Sequence, residues 1–387
     1  MLTFADNTWH IIAIFLAFMI GLAISLSQKK IFGVPLSHAV GLYLWHTIMC
    51  MYYFYYSLNN VADSTNYYLW SLNYSDGFEF GTKGVNLITS IFSSVLGMSY
   101  GGTFLIFNIF GAVGLLALAG ALWEVLPERH LPERRLTIVI LFLPGVSFWS
   151  SAIGKDSLTF MAAGLAVWAA LQLKRRYPAM LLALGVFFLV RPHIGGIAVV
   201  ALALALVFTL RSGIAAKAAL LAVAIPVAAA GIWLGLDYAG ISDPAGMSDI
   251  SDYIEERQGY NMEGGSSIDI ASMSWPVRLF SYLFRPLPLE APGFLGLVVG
   301  FENIVLLAIC IFFLLTAFKA RSRLPLFPRA FMLLFAIGTL VILANTTANL
   351  GIAIRQKWMF VPMLLCVAFS YARTRYPASR SDEIAYA

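Results

Sequence analysis

Eleven apolar stretches recur along the chain, and most have the about 17–25 residues that a helix needs to cross a bilayer. The stretches are 9–27, 36–57, 101–123, 136–153, 157–173, 178–190, 194–210, 215–236, 293–318, 328–346 and 358–372. Of the 387 residues, 60% are hydrophobic and only 12% are charged, whereas a soluble domain carries about 25% charged residues. The sequence therefore excludes an ordinary soluble enzyme and a disordered chain. It predicts a single all-α, polytopic membrane bundle over residues 1–387.

The basic residues divide unevenly between the two faces that these stretches define. With the N-terminus outside, one face carries 17 of the 25 basic residues with 5 acidic ones, a net charge of +12, and the other face carries −7. Lys and Arg concentrate in the cytoplasmic loops of membrane proteins. The +12 face is therefore predicted to be cytoplasmic, and the basic pI of about 9.0 reflects topology instead of nucleic-acid binding.

Two predicted external segments, 57–100 and 237–292, are too long to be simple connections, because loops beyond about 12–15 residues are usually functional or disordered. Both contain Trp, Tyr, Phe and Leu, which argues against disorder. Residues 84–97 read GVNLITSIFSSVLG, with apolar residues on one helical face. This stretch is too short to span, so we expect an amphipathic helix in the membrane interface, and a second near the end of 237–292. The chemistry is therefore expected on the external face.

Two carboxylates stand beside the predicted external ends of apolar stretches. Asp63 follows the second stretch, where a carboxylate could act as a general base or bind a metal ion. The alternative is that Asp63 or Ser64 caps a short helix. Asp156 follows Lys155 in a very short external turn, where Asp156 could equally cap the next helix while Lys155 extends towards water.

Several cations lie at the same predicted boundary. Arg191, in the sequence Arg191-Pro192-His193, ends the short stretch 178–190 and has no acid nearby in sequence. It needs a partner, which is either a phosphate or an acidic side chain elsewhere. Arg285, before Pro286, is in a similar position.

Arg355 and Lys357 place two cations within three residues at an external end, against the usual charge distribution. Phosphate recognition would explain them. Salt bridges to the acid-rich stretch 243–263 would explain them equally well.

No nucleotide-binding glycine motif occurs, and no nucleotide cofactor is expected. The five histidines are dispersed and suggest no metal site. Asp63 and Asp156 leave open whether Mg²⁺ or Mn²⁺ binds, so the metal requirement stays unknown at this stage.

The order of these features resembles the GT-C superfamily of integral-membrane glycosyltransferases, and is closest to multispan proteins of bacterial polysaccharide gene clusters. The resemblance covers about residues 57–365 and rests on Asp63, the amphipathic segment 84–97, and the segments LFLPGVSFWSSAIGKD and NLGIAIRQKWMFVP. In the superfamily the first external loop follows the first span, whereas here it follows the second. The resemblance therefore implies either an additional N-terminal helix or that residues 1–30 do not span.

The resemblance implies a polyprenyl-phosphate or polyprenyl-diphosphate sugar donor, a glycan or lipid-linked acceptor, and an active face on the outside of the bacterial inner membrane. It maps the catalytic carboxylate onto Asp63, a second carboxylate onto Asp156 and the phosphate-binding cation onto Arg355. Lys155, Arg191, His193, Arg285 and Lys357 are the further predicted donor-binding residues.

Two other classes of function fit the sequence. A transporter or flippase of lipid-linked glycans would account for short spans interrupted by Pro and Gly. A non-catalytic membrane subunit of a polysaccharide synthesis complex would not require the predicted site residues to share a cavity. Within the enzyme class, the sequence does not separate a monosaccharide transferase from a polymerase of repeat units.

Overall fold

A computed structural model describes residues 2–75, 77–126, 131–211, 213–238, 267–270, 272–291, 293–318 and 320–372. These residues form helices and no β-strand, which confirms the predicted all-α class. The helices are α1 (Thr8–Ser27), α2 (Leu36–Asn59), α3 (Asp63–Ser71), α4 (Thr82–Ser90), α5 (Tyr100–Val125), α6 (Leu131–Leu141), α7 (Pro144–Ser150), α8 (Lys155–Leu171), α9 (Leu173–Val190), α10 (Pro192–Thr209), α11 (Ile214–Tyr238), α12 (Trp275–Phe284), α13 (Gly293–Ala317), α14 (Leu326–Thr346), α15 (Leu350–Gln356) and α16 (Val361–Phe369).

Within the described ranges, six helical segments are long and apolar enough to cross a membrane. They are Thr8–Lys30, Tyr100–Val125, Pro192–Thr209, Ile214–Leu234, Gly293–Ala317 and Leu326–Thr346. The bent pair Leu350–Met359 and Val361–Phe369, with an angle of 55°, would make a seventh. The first of these segments favours the interpretation that the chain carries an additional N-terminal helix. The count of eleven stays a prediction, and several of its stretches coincide with shorter or broken helices.

Helix α5 lies at the centre of the bundle. In its span 83% of the residues are buried, against 22% for the Thr8–Lys30 segment and 17% for Ile214–Leu234. Small residues allow neighbouring backbones to approach α5, because a helix without a bulky side chain at the crossing packs more closely. One very tight crossing joins Gly114 of α5 and Gly164 of α8, where a Cβ on Gly164 would overlap the Gly114 carbonyl. A Cβ on Gly114 would lie 2.7 Å from the Met161 Cα atom.

Gly164→Ala is therefore expected to destabilise the protein by about 1–3 kcal/mol, the usual cost of overpacking a core. Gly185→Ala in α9 is the matched control, because a Cβ at Gly185 meets no atom within 4 Å. Removing that glycine should instead stabilise the helix by up to about 1 kcal/mol. Thermal unfolding of both variants in detergent measures the difference, and equal midpoints would contradict the packing described here.

The predicted external segment 57–100 contributes two short helices and a π-helical turn. Helix α4 and the π-helical turn Ile91–Val95 cover most of the amphipathic helix predicted over 84–97. Ile91, Val95 and Leu96 are exposed, as is expected of side chains that face lipid headgroups. The backbone N–H of Gly81 donates to the Leu189 carbonyl oxygen at 2.8 Å, which ties this segment to the end of α9.

Of the other predicted external segment, 237–292, the structure describes the end of α11 at 237–238 and residues 267–270 and 272–291. There, α12 exposes the apolar side chains of Trp275, Val277 and Phe280, as an interfacial helix would. The acid-rich stretch 243–263 lies outside the described residues.

Charged residues of the two predicted faces separate to opposite ends of α8 and α9. At one end, Arg176 pairs with Glu124 of α5 at 2.9 Å and also packs over the Trp168 ring. Both residues belong to the predicted cytoplasmic face. The opposite ends of the same two helices carry Asp156 and Arg191 of the predicted external face. The bundle therefore agrees with the charge distribution along the sequence.

Candidate functional site

A cleft lies where the predicted external ends of α2, α8, α9 and α15 meet. Five of the eight predicted site residues line it, and they come from separate parts of the chain. The lining residues are Tyr53, Asp63, Tyr67, Trp149, Ala152, Ile153, Gly154, Lys155, Asp156, Arg191, Ile352, Arg355 and Gln356. The structure thus brings together Asp63, Asp156, Lys155, Arg191 and Arg355.

Both carboxylates lie in the first turn of a helix, Asp63 in α3 and Asp156 in α8. Negative charge is favourable there because the helix dipole presents its positive end. Neither residue is the N-cap, since Ala62 precedes α3 and Gly154 precedes α8. The alternative that these side chains serve as helix caps is therefore wrong, and both carboxylates are directed to other partners.

Gly154 sets the position of the α8 carboxylate. Its φ of 150° and ψ of −167° lie in a region that only glycine adopts readily. A Cβ at this position would also approach the Tyr67 ring to 3.3 Å. The tight turn from Ser151 to Gly154 therefore places Lys155 and Asp156 directly at the cleft.

Arg191 is fixed by a proline. It stands between α9 and α10, with extended backbone (φ −145°, ψ 80°), because Pro192 disfavours a helical conformation in the residue before it. Pro192 opens α10 at a position where a missing N–H carries no penalty. The break between α9 and α10 thus places the Arg191 guanidinium in the cleft.

Arg355 lies in the last turn of α15, where the helix dipole favours a cation. The helix begins at the N-cap Asn349, whose side-chain Oδ1 accepts a hydrogen bond from the Ile352 N–H at 3.2 Å. The Arg355 guanidinium carbon is 5.6 Å from the centre of the Trp149 ring, within the range of a cation–π contact. These contacts give the long side chain a defined direction.

The four charged groups alternate in sign across the cleft. Arg355 Nη1 is 2.7 Å from Asp63 Oδ2, and Arg355 Nε is 4.0 Å from Asp156 Oδ2. Asp156 Oδ1 in turn accepts from Arg191 Nη2 at 3.1 Å. The carboxylate of Asp63 is the most accessible member, with 62% of its side chain exposed.

Positive charge and N–H donors are in excess in this cleft. Lys155, Arg191 and Arg355 outnumber Asp63 and Asp156 by one unit charge. Within the described ranges, two buried side-chain donors of the lining have no hydrogen-bond partner, Arg191 Nε and Trp149 Nε1. Buried donors are normally satisfied, so the pattern favours an anionic ligand.

Three predicted donor-binding residues are not part of the lining. Arg285 pairs with Glu290 at 3.0 Å, five residues further along the chain. His193 lies in the first turn of α10.

Lys357 is 2% exposed and contacts Asn303 and the Leu283 carbonyl oxygen. Residues two apart on a helix do not face the same way. Arg355 and Lys357 therefore point to different surroundings, although they are close in sequence. Lys357 therefore does not line this cleft with Arg355, and its predicted role in donor binding stays a prediction.

Several lining residues were missed by the sequence reasoning. Tyr53 lies within the apolar α2 and Trp149 within α7, where aromatic residues are ordinary core residues. Gln356 accepts from Thr347 Oγ1 at 3.2 Å and is uncharged, so nothing in the sequence marked it. Of these three residues, only Trp149 could have been found from the sequence, because it stands next to the turn that precedes Asp156.

The proposed alternative partners of Arg355, the acids of 243–263, lie outside the described residues. Among residues that the structure does describe, no group of three or more His, Cys, Asp or Glu side chains is placed to hold a metal ion. Asp63 and Asp156 approach each other through Arg355, which lies between them.

A scan against protein-family models, a search of curated proteins and a search of solved structures each found no match to this chain.

Proposed function

We propose that this integral-membrane protein is a glycosyltransferase of the GT-C type that uses a polyprenyl-phosphate or polyprenyl-diphosphate sugar at the external face of the bacterial inner membrane. The observation that carries the proposal is the cleft itself, in which an accessible carboxylate contacts an arginine at 2.7 Å and a second carboxylate links that arginine to another. Such a site offers a base for the acceptor and donors for a phosphate. Polysaccharide or glycan assembly is the corresponding process.

In the proposed reaction, an acceptor hydroxyl oxygen attacks the anomeric carbon of the donor sugar. Asp63 takes the hydroxyl proton as the new carbon–oxygen bond forms. The bond between the anomeric carbon and the phosphate oxygen breaks, and its electron pair stays on the phosphate. Arg355, Arg191 and Lys155 stabilise the negative charge that grows on the leaving phosphate.

The ion pair between Asp63 and Arg355 suggests an order of events. While Arg355 holds the carboxylate, one oxygen of Asp63 is engaged at 2.7 Å. A phosphate that binds Arg355 competes with Asp63 for the same N–H donors. Donor binding thereby releases Asp63 to accept a proton, so the base becomes available only when the leaving group is in place.

The external segment supplies a route for a lipid-linked donor. Exposed apolar side chains on α3 and on the π-helical turn, Leu69, Trp70 and Ile91 among them, lie on the segment that begins at Asp63. Amphipathic helices of this kind rest in the headgroup region of a bilayer. We propose that they guide the prenyl chain while the phosphate enters the cleft.

The contacts in the cleft favour catalysis over a non-catalytic subunit. A subunit without chemistry has no need to hold the carboxylates of Asp63 and Asp156 both within 4.0 Å of the Arg355 guanidinium. The transporter alternative calls for ionisable residues along a path through the membrane. The charged residues that line this cleft are instead collected at one end of the bundle.

Reconstitution in liposomes with a labelled polyprenyl-phosphate sugar and a mixture of glycan acceptors tests the proposal. A glycosyltransferase forms a new glycosidic bond, which mass spectrometry of the product detects. A flippase changes only the leaflet in which the label is accessible, and that result would refute the proposed activity. Empty liposomes and the Asp63→Asn variant serve as controls.

A further inference from the structure

A second cluster of polar side chains is buried behind the cleft. It consists of Glu302 and Asn303 of α13 together with Lys357, which follows α15. Glu302 is 6% exposed, and Asn303 and Lys357 are more deeply buried. Ionisable residues inside a membrane helix are costly and usually have a functional partner. None of the three residues lines the cleft, so this cluster has no direct contact with a ligand bound there.

Glu302 holds the beginning of α7. Its Oε1 accepts a hydrogen bond from the Gly145 backbone N–H at 2.6 Å. The first N–H groups of a helix have no acceptor within the helix, so a carboxylate at this point caps it. A side chain at Gly145 would collide with the same carboxylate, which shows how closely the two helices meet. The seven residues of α7 lead to Trp149 in the cleft wall and on to the turn before Asp156.

The neighbouring Asn303 holds the other side of the cleft. Its Oδ1 accepts from Lys357 Nζ, and its Nδ2 donates to the Pro286 carbonyl oxygen at 2.8 Å. Lys357 Nζ also approaches the Leu283 carbonyl oxygen at 3.4 Å. Lys357 is two residues after Arg355, in the helical turn that continues α15. Its position therefore determines where the last turn of α15 can lie.

We infer that Glu302, Asn303 and Lys357 form a positioning network for the cleft. Two consecutive residues of α13 fix the element that leads to Asp156 and the element that carries Arg355. The network sets the separation of the two charged groups without touching a ligand. This inference rests on the proposed function, because it assigns the network to phosphate binding by Arg355. Displacements of about 1 Å away from the chemistry can cost about 10²-fold in a reaction.

Binding of farnesyl monophosphate to the purified full-length protein in detergent tests the network, with farnesol as the ligand that lacks the phosphate. Glu302→Ala and Lys357→Met are expected to weaken farnesyl monophosphate binding by about 10- to 100-fold, the usual cost of a displaced supporting group. Glu302→Gln should bind like the wild type, because its amide oxygen still accepts from Gly145. Thr316→Val is the matched control on α13, since Thr316 bonds only to its own helix, at the Phe312 and Phe313 carbonyl oxygens.

The outcomes separate the network from the proposed function. If the folded Glu302→Ala and Lys357→Met variants bind farnesyl monophosphate with wild-type affinity, the positioning network is overturned and the proposed function is not. An equal loss in Glu302→Gln and Glu302→Ala also overturns it, because the charge and not the hydrogen bond would then matter. If Glu302→Ala does not fold, Glu302→Asp keeps the charge but withdraws the carboxylate by one methylene, and unchanged binding there overturns the network. A wild-type protein that binds farnesyl monophosphate no better than farnesol overturns both proposals.

Discussion

In the reconstituted transfer assay, Asp63→Asn is expected to lower the rate of glycan formation by about 10²–10⁴-fold, the contribution that a general base typically makes. Asparagine keeps the shape of the side chain but cannot take the acceptor proton. The same variant should bind farnesyl monophosphate at least as tightly as the wild type. The reason is that Arg355 then no longer has to leave a carboxylate at 2.7 Å in order to contact a phosphate.

Glu79→Gln is the matched control for this prediction. Glu79 belongs to the same external segment and forms an ion pair with Lys83 at 2.8 Å, outside the cleft. The same acid-to-amide change should leave transfer and binding unchanged. Full transfer by the folded Asp63→Asn variant would remove Asp63 as the base, and weaker phosphate binding would contradict the competition for Arg355.

Arg355→Lys is expected to reduce transfer by about 10²–10³-fold, the usual loss when one donor to a developing anion is removed. Lysine keeps the charge, but it lacks the planar set of N–H groups that reaches both Asp63 and Asp156 and lies over Trp149. Affinity for farnesyl monophosphate should fall together with the rate, because in the proposed mechanism Arg355 contacts the phosphate directly.

Arg176→Lys makes the same substitution in a similar environment at the opposite end of the bundle. Arg176 also pairs with a carboxylate, Glu124, and also lies over a tryptophan, at 4.1 Å from the Trp168 ring centre. The Arg176→Lys variant should transfer the sugar at the wild-type rate. Equal losses in the Arg355 and Arg176 variants would trace the effect to stability instead of phosphate recognition.

The sequence was informative about the charged residues of the cleft for a physical reason. An apolar membrane chain has few charges, and most of its basic residues follow the cytoplasmic bias, with Arg191 and Arg355 among the exceptions. Asp156 and Arg191 stand close to Gly154 and Pro192, where helices begin, and Arg355 lies in the short helix that begins after Asn349. Local rules on helix ends therefore located them, although their catalytic and binding roles stay predictions.

Other features depend on packing that the sequence does not reveal. Tyr53 faces the cleft because α2 happens to turn that side towards α7, whereas its neighbours in sequence are equally aromatic. The burial of Lys357 follows from a contact with Asn303, more than fifty residues away in the chain. The sequence also leaves the number of membrane crossings undetermined. Short helices such as α7 are stabilised by packing against neighbouring helices instead of by their own length.

The contact between Asp63 and Arg355 joins residues that are 292 positions apart. During biosynthesis, the acid leaves the ribosome long before the arginine does. Until the later helices insert, the nascent chain therefore carries Asp63 without the arginine that pairs with it. Under the proposed function, such an incomplete chain lacks the phosphate-binding side chain and leaves a lipid-linked donor unconsumed.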